Sequence, residues 1–465
     1  MARRQYPYEL RMRAHIDPLV AVGRLARSTT FGKFVVYERD GTWTFAGGAA
    51  AEIVMDHNGF RTRWHDRESL RPFPEDPARA FAEILSEAPV DDWSLYGWTA
   101  FEFAYAQAGL PELLAPGVLL HAIVPQVEIG VRADGAVLRG DDRRLLQVLA
   151  DTVAEASEDV SASPVSLAVE ESGGEEYRTA VASVVADIRA KRLTKAIVSR
   201  VVPVAFDIDL VATYLAGRRG NTPARSFLLN LDGLRAAGFS PETVAEVSAG
   251  GRVVSRPLAG TRALHAQDRV RSERLRADLV SDPKEVFEHA VSVRLACEEM
   301  ESVCRAGTVG VEEFMRVQER GSVQHLASAA VGRLADDRGP WDVFAALFPA
   351  VTASGIPKAA AYRAIRAHET GPRGLYGGAV FTADAQGALD SALVLRTVFQ
   401  QHGRTWLQAG AGIVADSTPD REFEETCEKM RSVARYLVPA APGTPPDADA
   451  DAAAASAATR HTVTS

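Results

Sequence analysis

The sequence predicts an α+β chain built on antiparallel strands, and three observations carry that prediction. Short apolar runs flank tight turns at Asp40-Gly41 and Asn58-Gly59, dipeptides suited to the left-handed residues of a hairpin turn. The stretch YGGAVFTADAQGALDSALVLRTVFQQHGRTWLQAGAG reads as an antiparallel meander turning at Gln386-Gly387 and His402-Gly403. Capped helices interrupt the strands, most clearly at 281–300 and after Thr418, where N-cap residues are followed by Pro at the first helical position.

Composition bounds the function. With 465 residues, 46% hydrophobic and 24% charged, this is an ordinary globular chain with ample length for a large core. A net charge of −9 argues against a nucleic-acid partner, because neutralising phosphates needs a basic face. Local basic pockets for a small acid stay open. Cys297, Cys304 and Cys427 show neither CxxC nor Cys/His spacing, so zinc and a disulfide framework are unsupported. The N-terminus MARRQYPYELRMRAH lacks an apolar core, and no run is long enough to span a bilayer. A reducing, cytoplasmic setting is the expectation.

FGKFVVYERDGTWTFAG and AEIVMDHNGFRTRW form the first hairpins, and residues 77–87 a short helix. The aromatic cluster DDWSLYGWTAFEFAYA (91–106) reads as core rather than as a ligand platform. LLHAIVPQVEIGVRADGAVLRG (119–140) supplies two more strands, and DDRRLLQVLADTVAEA a helix. Residues 155–176 turn polar and acidic, the one internal linker candidate. After Tyr177 come a helix, TAVASVVADIRAKR, and a strand, KAIVSRVVPVAF (195–206), opening on Lys195. A lysine at a strand entrance commonly snorkels to solvent.

RSFLLNLDGLRAAGFSPETVAEV (225–247) is a strand pair ending in a turn that presents Glu242. RVVSRPLAGTRAL (252–264) is a strand running into Pro257, Gly260 and Thr261; the glycine marks a close backbone approach or a simple turn. In SDPKEVFEHAVSVRLACEEM, Asp282, Pro283 and Glu285 are spaced for a capping box, whereas Glu288 lies past the cap. GSVQHLASAAVGRL is strand-like and carries His325, a residue type usually satisfied within a core. WDVFAALFPAVTASGIPKAAAYRAI is helix, loop, helix, with Thr352 in the loop. Arg396 shares an apolar strand face with Val394 and Val398, so it requires an acidic partner or an anionic ligand.

TWLQAGAGIVADSTPDREFEETCEKM begins as a strand at Thr405 to Leu407, followed by a glycine-punctuated turn at Gly410 and Gly412 and a helix capped by Thr418. At 100° per residue Glu422, Glu425 and Lys429 fall within about a 60° arc beside the apolar stripe Phe423, Cys427, Met430. Such a helix is either a solvated acidic face or, next to exposed loop N–H groups, a seat for a hard cation and an anionic ligand. Beyond Leu437 the composition is low-complexity Ala/Pro/Asp/Thr, and 439–465 is expected to be a disordered tail.

RPLAGTRAL, SDPKEVFEHA, GSVQHL, FPAVTASGIPKAAA, RGLYGGAV and GAGIV…DREFEETCEK, in this order and spacing, resemble the chorismate-utilising enzymes, closely over residues 177–438 and more loosely over 1–176. Within that family the chain looks most like the salicylate synthases. The resemblance implies one α+β domain over 1–438, two large antiparallel sheets packed as a sandwich with flanking helices and the site at one end. It implies Mg²⁺ held by Glu288, Glu422 and Glu425, with Glu285 ranked lower because of its cap. Tyr376 and Arg396 match residues that hold the enolpyruvyl carboxylate. Gly260, Thr261, His325, Thr352, Gly410, Gly412 and Lys429 match substrate-proximal positions. Lys195 matches the general base and Glu242 the general acid, roles that water addition at C2 and loss of the C4 hydroxyl would require.

Two positions discriminate within the family. Ammonia-using anthranilate synthases carry Gln where Lys195 stands, and aminodeoxychorismate synthases carry a nucleophilic Lys where this chain has Ala259. Both point to water as nucleophile. The implied activity is conversion of chorismate through isochorismate to salicylate and pyruvate, feeding siderophore or other salicylate-derived biosynthesis. An isochorismate synthase that releases its product is the alternative. A monomer without a glutaminase subunit is expected.

Overall fold

Strand runs such as Phe34–Arg39 and Ala51–Asp56 are apolar on successive residues instead of alternating. That pattern belongs to strands covered on both faces, and the tertiary structure supplies both covers. The computed structural model describes residues 5–65, 67–155, 163–265, 267–321 and 323–441. Among them, antiparallel strands form one sheet of 11 and another of 12. Phe227, Leu229 and Phe399 of the first meet Tyr96, Trp98 and Val380 of the second in the core between them. Helices Pro18–Arg27, Gly174–Arg189 and Pro419–Ala434 cover the outer face of the first sheet. Pro77–Ser86, Pro283–Glu301 and Pro340–Leu347 cover that of the second. The aromatic cluster supplies core: Phe101, Phe103 and Tyr105 are buried.

Strands from either side of residues 155–176 pair directly. Phe34–Arg39 pairs with Arg225–Leu231, and Ser94–Thr99 with Ala379–Asp384. Several boundaries move. The 119–140 stretch holds three strands, since Val118–Val124, Val127–Arg132 and Gly135–Gly140 are separated by tight turns. Pro257 splits 252–264 into Arg252–Ser255 and Leu258–Ala263, as a residue without an N–H breaks a ladder. Pro439 bridges Ile208, and Ala440 donates to Asp207. Of the expected tail, 442–465 lie outside the described residues. No helix among the described residues is long and apolar enough to cross a membrane.

Two crossovers between the sheets build the site. The chain leaves the first sheet after Leu234–Ser240 and enters the second at Thr243–Val247, with Glu242 at the junction. It returns from Leu389–Leu393 to Thr397–Gln401, with Arg396 at that junction. The crossovers are stitched together: Leu393 N–H donates to the Glu242 carbonyl at 3.1 Å and Phe239 N–H to the Arg396 carbonyl at 3.1 Å. Arg396 therefore does not sit on a strand face with Val394 and Val398. It lies between strands with φ +50°, a left-handed conformation costly for a bulky residue and held by surrounding structure.

Candidate active site

A cavity of about 440 Å³ opens where the crossovers meet, within the size range of small-ligand sites. Every residue nominated from sequence except Glu422 lines it, together with Arg262, Lys284, Gln408 and Arg421, which were not nominated. Arg262 and Lys284 lie inside the quoted motifs RPLAGTRAL and SDPKEVFEHA. Nothing in their local pattern separates them from surface cations.

One wall is the strand Arg404–Ile413, which runs straight through Gly410 and Gly412 where a turn was expected. It pairs along Lys195–Pro203 on one side, while Thr397–Gln401 stops at Leu407 on the other. Residues 408–413 thus have a strand neighbour on one edge only. The glycines serve close approach: a Cβ on Gly410 would lie 2.7 Å from the Val198 carbonyl oxygen, and one on Gly412 3.0 Å from a Glu288 oxygen.

Lys195 is buried at the start of its strand and does not snorkel to solvent. Its Nζ donates to Glu288 Oε1 at 2.6 Å. Glu242, 4% exposed, accepts from Thr352 Oγ1 at 3.0 and 3.1 Å. Burial pushes its carboxyl up to about 8, so it is an acid carrying its proton at neutral pH.

Gly260 has φ +82° beside a bulge, and a Cβ there would lie 3.2 Å from Glu285 Oε2. The left-handed backbone at the bulge is therefore its first reason, with the Glu285 side chain close by as a second. Asp282 caps Lys284 and Glu285 N–H, but its own N–H is taken by the Asp278 carbonyl. Glu285 instead accepts from Thr261 N–H at 3.3 Å and Arg262 at 2.8 Å.

Thr261, His325 and Arg396 form a relay. Arginine only donates, so Arg396 Nη2, 2.7 Å from His325 Nε2, makes that nitrogen the acceptor. His325 Nδ1–H then donates to Thr261 Oγ1 at 2.9 Å. Burial and the Arg396 charge hold His325 well below its usual range, so it is neutral. Arg396 itself is lowered to about 10 by burial and the Arg320 charge. Among the described residues no carboxylate pairs with it. The guanidinium is half-buried, and a charge with little access to water and no carboxylate beside it favours an anionic partner; Tyr376, buried, lines the same cavity.

On Pro419–Ala434, Thr418 occupies the N-cap without a side-chain cap bond. The Glu422 side chain is 1% exposed and neither of its oxygens has a hydrogen-bond partner. Lys284 Nζ lies 3.8 Å from it. Burial and the Glu425 charge raise Glu422. Glu425 is lowered: Lys429, at 2.7 Å, outweighs the effect of its burial. Lys429 also donates to the Gly410 carbonyl at 2.9 Å.

An orphaned buried carboxylate next to a second one fits a hard cation. Three ligand atoms within 4.8 Å of one another occur among the described residues only at Glu52, His121 and Asp232. There Lys33 lies 2.6 Å from Asp232 and Arg63 2.7 Å from Glu52, so that cluster already has its cations. The acidic residues of the cavity form no such closed cage. Mg²⁺ does not require one, since it keeps waters and takes one or two carboxylates plus ligand oxygens.

Comparisons with known proteins bear on the family and the fold. The model of the chorismate binding enzyme family matches residues 33–435. The salicylate synthase of Mycolicibacterium paratuberculosis is 44% identical over 432 residues, 91% of this chain and 94% of that protein. An anthranilate synthase component 1 of Haloarcula marismortui is 39% identical over 267 residues, 57% of this chain and 49% of that protein. Among solved structures, anthranilate synthase component I from Streptococcus pneumoniae superposes with a TM-score of 0.71 at 24% identity, covering 85% of this chain and 92% of that one. The menaquinone-specific isochorismate synthase of Escherichia coli gives 0.71 at 19%, covering 92% and 94%; these two establish the fold. The chain belongs to the chorismate-binding enzyme family.

Proposed function

We propose that this protein is a Mg²⁺-dependent salicylate synthase, converting chorismate through isochorismate to salicylate and pyruvate. The observation that supports it best is the pairing, within one cavity, of buried Lys195 with a Glu242 that holds its proton at neutral pH. Water addition at C2 with departure of the C4 hydroxyl needs one base and one acid. Ala259 lines the same cavity, so the position at which aminodeoxychorismate synthases carry a nucleophilic lysine has no nucleophile here. The 44% identity to a salicylate synthase over 91% of the chain supports the choice of product.

In this mechanism Lys195 takes a proton from the attacking water, and Glu242 protonates the departing hydroxyl. Arg396, oriented by His325, and Tyr376 hold the enolpyruvyl carboxylate. Glu288, Glu422 and Glu425, with Glu285 adjacent, would hold Mg²⁺, which when bound neutralises the ring carboxylate amid these acidic groups. The second step transfers the C2 hydrogen to the enolpyruvyl methylene as pyruvate leaves. That cyclic rearrangement needs a held conformation more than a further acid or base. Salicylate made this way would supply siderophore or other salicylate-derived assembly.

The test is purified protein incubated with chorismate and Mg²⁺, with products separated by chromatography. Salicylate and pyruvate are expected, and authentic isochorismate should also be consumed. Accumulation of isochorismate with neither product would make the protein an isochorismate synthase. The pH dependence is a second check. Because Glu242 is raised to about 8, its acid form is present below that pH and lost above it. The kcat/KM profile should therefore fall by one proton centred near 8, and a profile flat to pH 10 would remove Glu242 as the acid.

A further inference from the structure

We infer that Arg373, which lies outside the cavity lining, is a positioning residue that holds the strand of the base and the loop of the acid's partner in one frame. This rests on the functional reading above. Arg373 is 3% exposed and its donors reach three separate segments. Nη1 donates to the Ala353 carbonyl at 2.6 Å, next to Thr352 in sequence. Nη2 donates to the Ile197 carbonyl at 2.6 Å, two residues along the strand from Lys195. Nε and Nη2 fork onto Glu369 at 3.0 and 2.6 Å, and the guanidinium lies 4.4 Å from the Phe101 ring centre.

The network continues in both directions. Glu369 also accepts from Ser199 N–H at 2.7 Å and Ser199 Oγ at 2.9 Å. Ser199 Oγ in turn takes a hydrogen bond from Gln408 of the cavity wall at 2.9 Å. On the other side, Arg373 N–H and Gly374 N–H donate to the two oxygens of Glu102, at 2.7 and 3.1 Å. Tyr376 N–H donates to the Arg373 carbonyl at 3.2 Å. From the turn that carries Tyr376, one planar fork thus meets the Lys195 strand, the Thr352 loop and Glu369. Lysine, a point donor on a flexible stem, cannot reproduce that geometry.

The consequence is readable at Glu242. Besides Thr352, the groups acting on it are the Leu258 backbone and the Lys195 charge; Glu369 and Glu102 face Arg373. Thr352 donates to the Glu242 carboxylate and so favours its ionised form. If Arg373 holds Thr352 in place, its loss should shift the alkaline limb of kcat/KM upward.

The test measures chorismate consumption with Mg²⁺ for wild type, R373K, T352V and the double variant. R373K should lose about 10²-fold in kcat with KM changed by less than about threefold. Its alkaline limb should move up as in T352V, and the double variant should move no further. Unchanged kcat, a loss with the limb unmoved, or additive limb shifts would each overturn the inference. If R373K is unfolded by circular dichroism, the same readouts on the isosteric E369Q decide. A wild type that consumes no chorismate overturns both readings, whereas an unaltered R373K in an active enzyme overturns only this one.

Discussion

Lys195→Gln should lower turnover of chorismate by about 10²–10⁴-fold, the usual worth of a positioned base, equivalent to about 3–5 kcal/mol of barrier. Glu242→Gln should cost a similar factor for a different reason, since an amide cannot protonate the leaving oxygen. It should also keep the fold. Glu242 is buried and hydrogen-bonded through Thr352 Oγ1, and a neutral Gln can still accept from that hydroxyl. Single-turnover rates with saturating chorismate measure both effects. A normal rate in either variant removes that residue from the mechanism. Wild-type pH dependence in an active Lys195→Gln protein would be equally damaging, because the base would then have to be another group.

The double replacement Glu288→Gln and Glu425→Gln should abolish metal-dependent turnover without unfolding the protein. Neither side chain belongs to the apolar stripe Phe423, Cys427, Met430, which is buried in the core of the first sheet. Each is paired with a lysine at its site: Glu288 with Lys195 at 2.6 Å and Glu425 with Lys429 at 2.7 Å. Exhaustive dialysis of the wild type against EDTA should have the same result, reversed by added Mg²⁺. Without a cation, these carboxylates would repel a dianionic substrate. Full turnover after dialysis would rule out metal dependence. Circular dichroism of the double variant separates a functional role from a structural one, since an unfolded variant would mean that these acids serve the fold.

Chain pattern alone determined a good deal. Hairpin dipeptides such as Asp40-Gly41 and His402-Gly403 specify their turns locally, and Thr418-Pro419 marks a helix start, because backbone conformations there depend on one or two residues. The order and spacing of the motifs from RPLAGTRAL to EFEETCEK likewise led to the family and to the residues that line the cavity. Tertiary structure decided what depends on neighbours distant in sequence. Gly410 and Gly412 read as a turn because glycine is ambiguous locally. They are strand residues because they pair with Lys195–Pro203, and glycines because the Val198 carbonyl and Glu288 leave little room for a Cβ. Arg396 read as a strand residue, yet it sits at a crossover whose left-handed backbone is set by the meeting of two sheets. Glu285 read as half of a capping box, but Arg262 and Thr261 N–H, more than twenty positions away, claim its carboxylate. The protonated state of Glu242 was likewise invisible to spacing, since it follows from desolvation, and burial is a property of the packed molecule rather than of any segment.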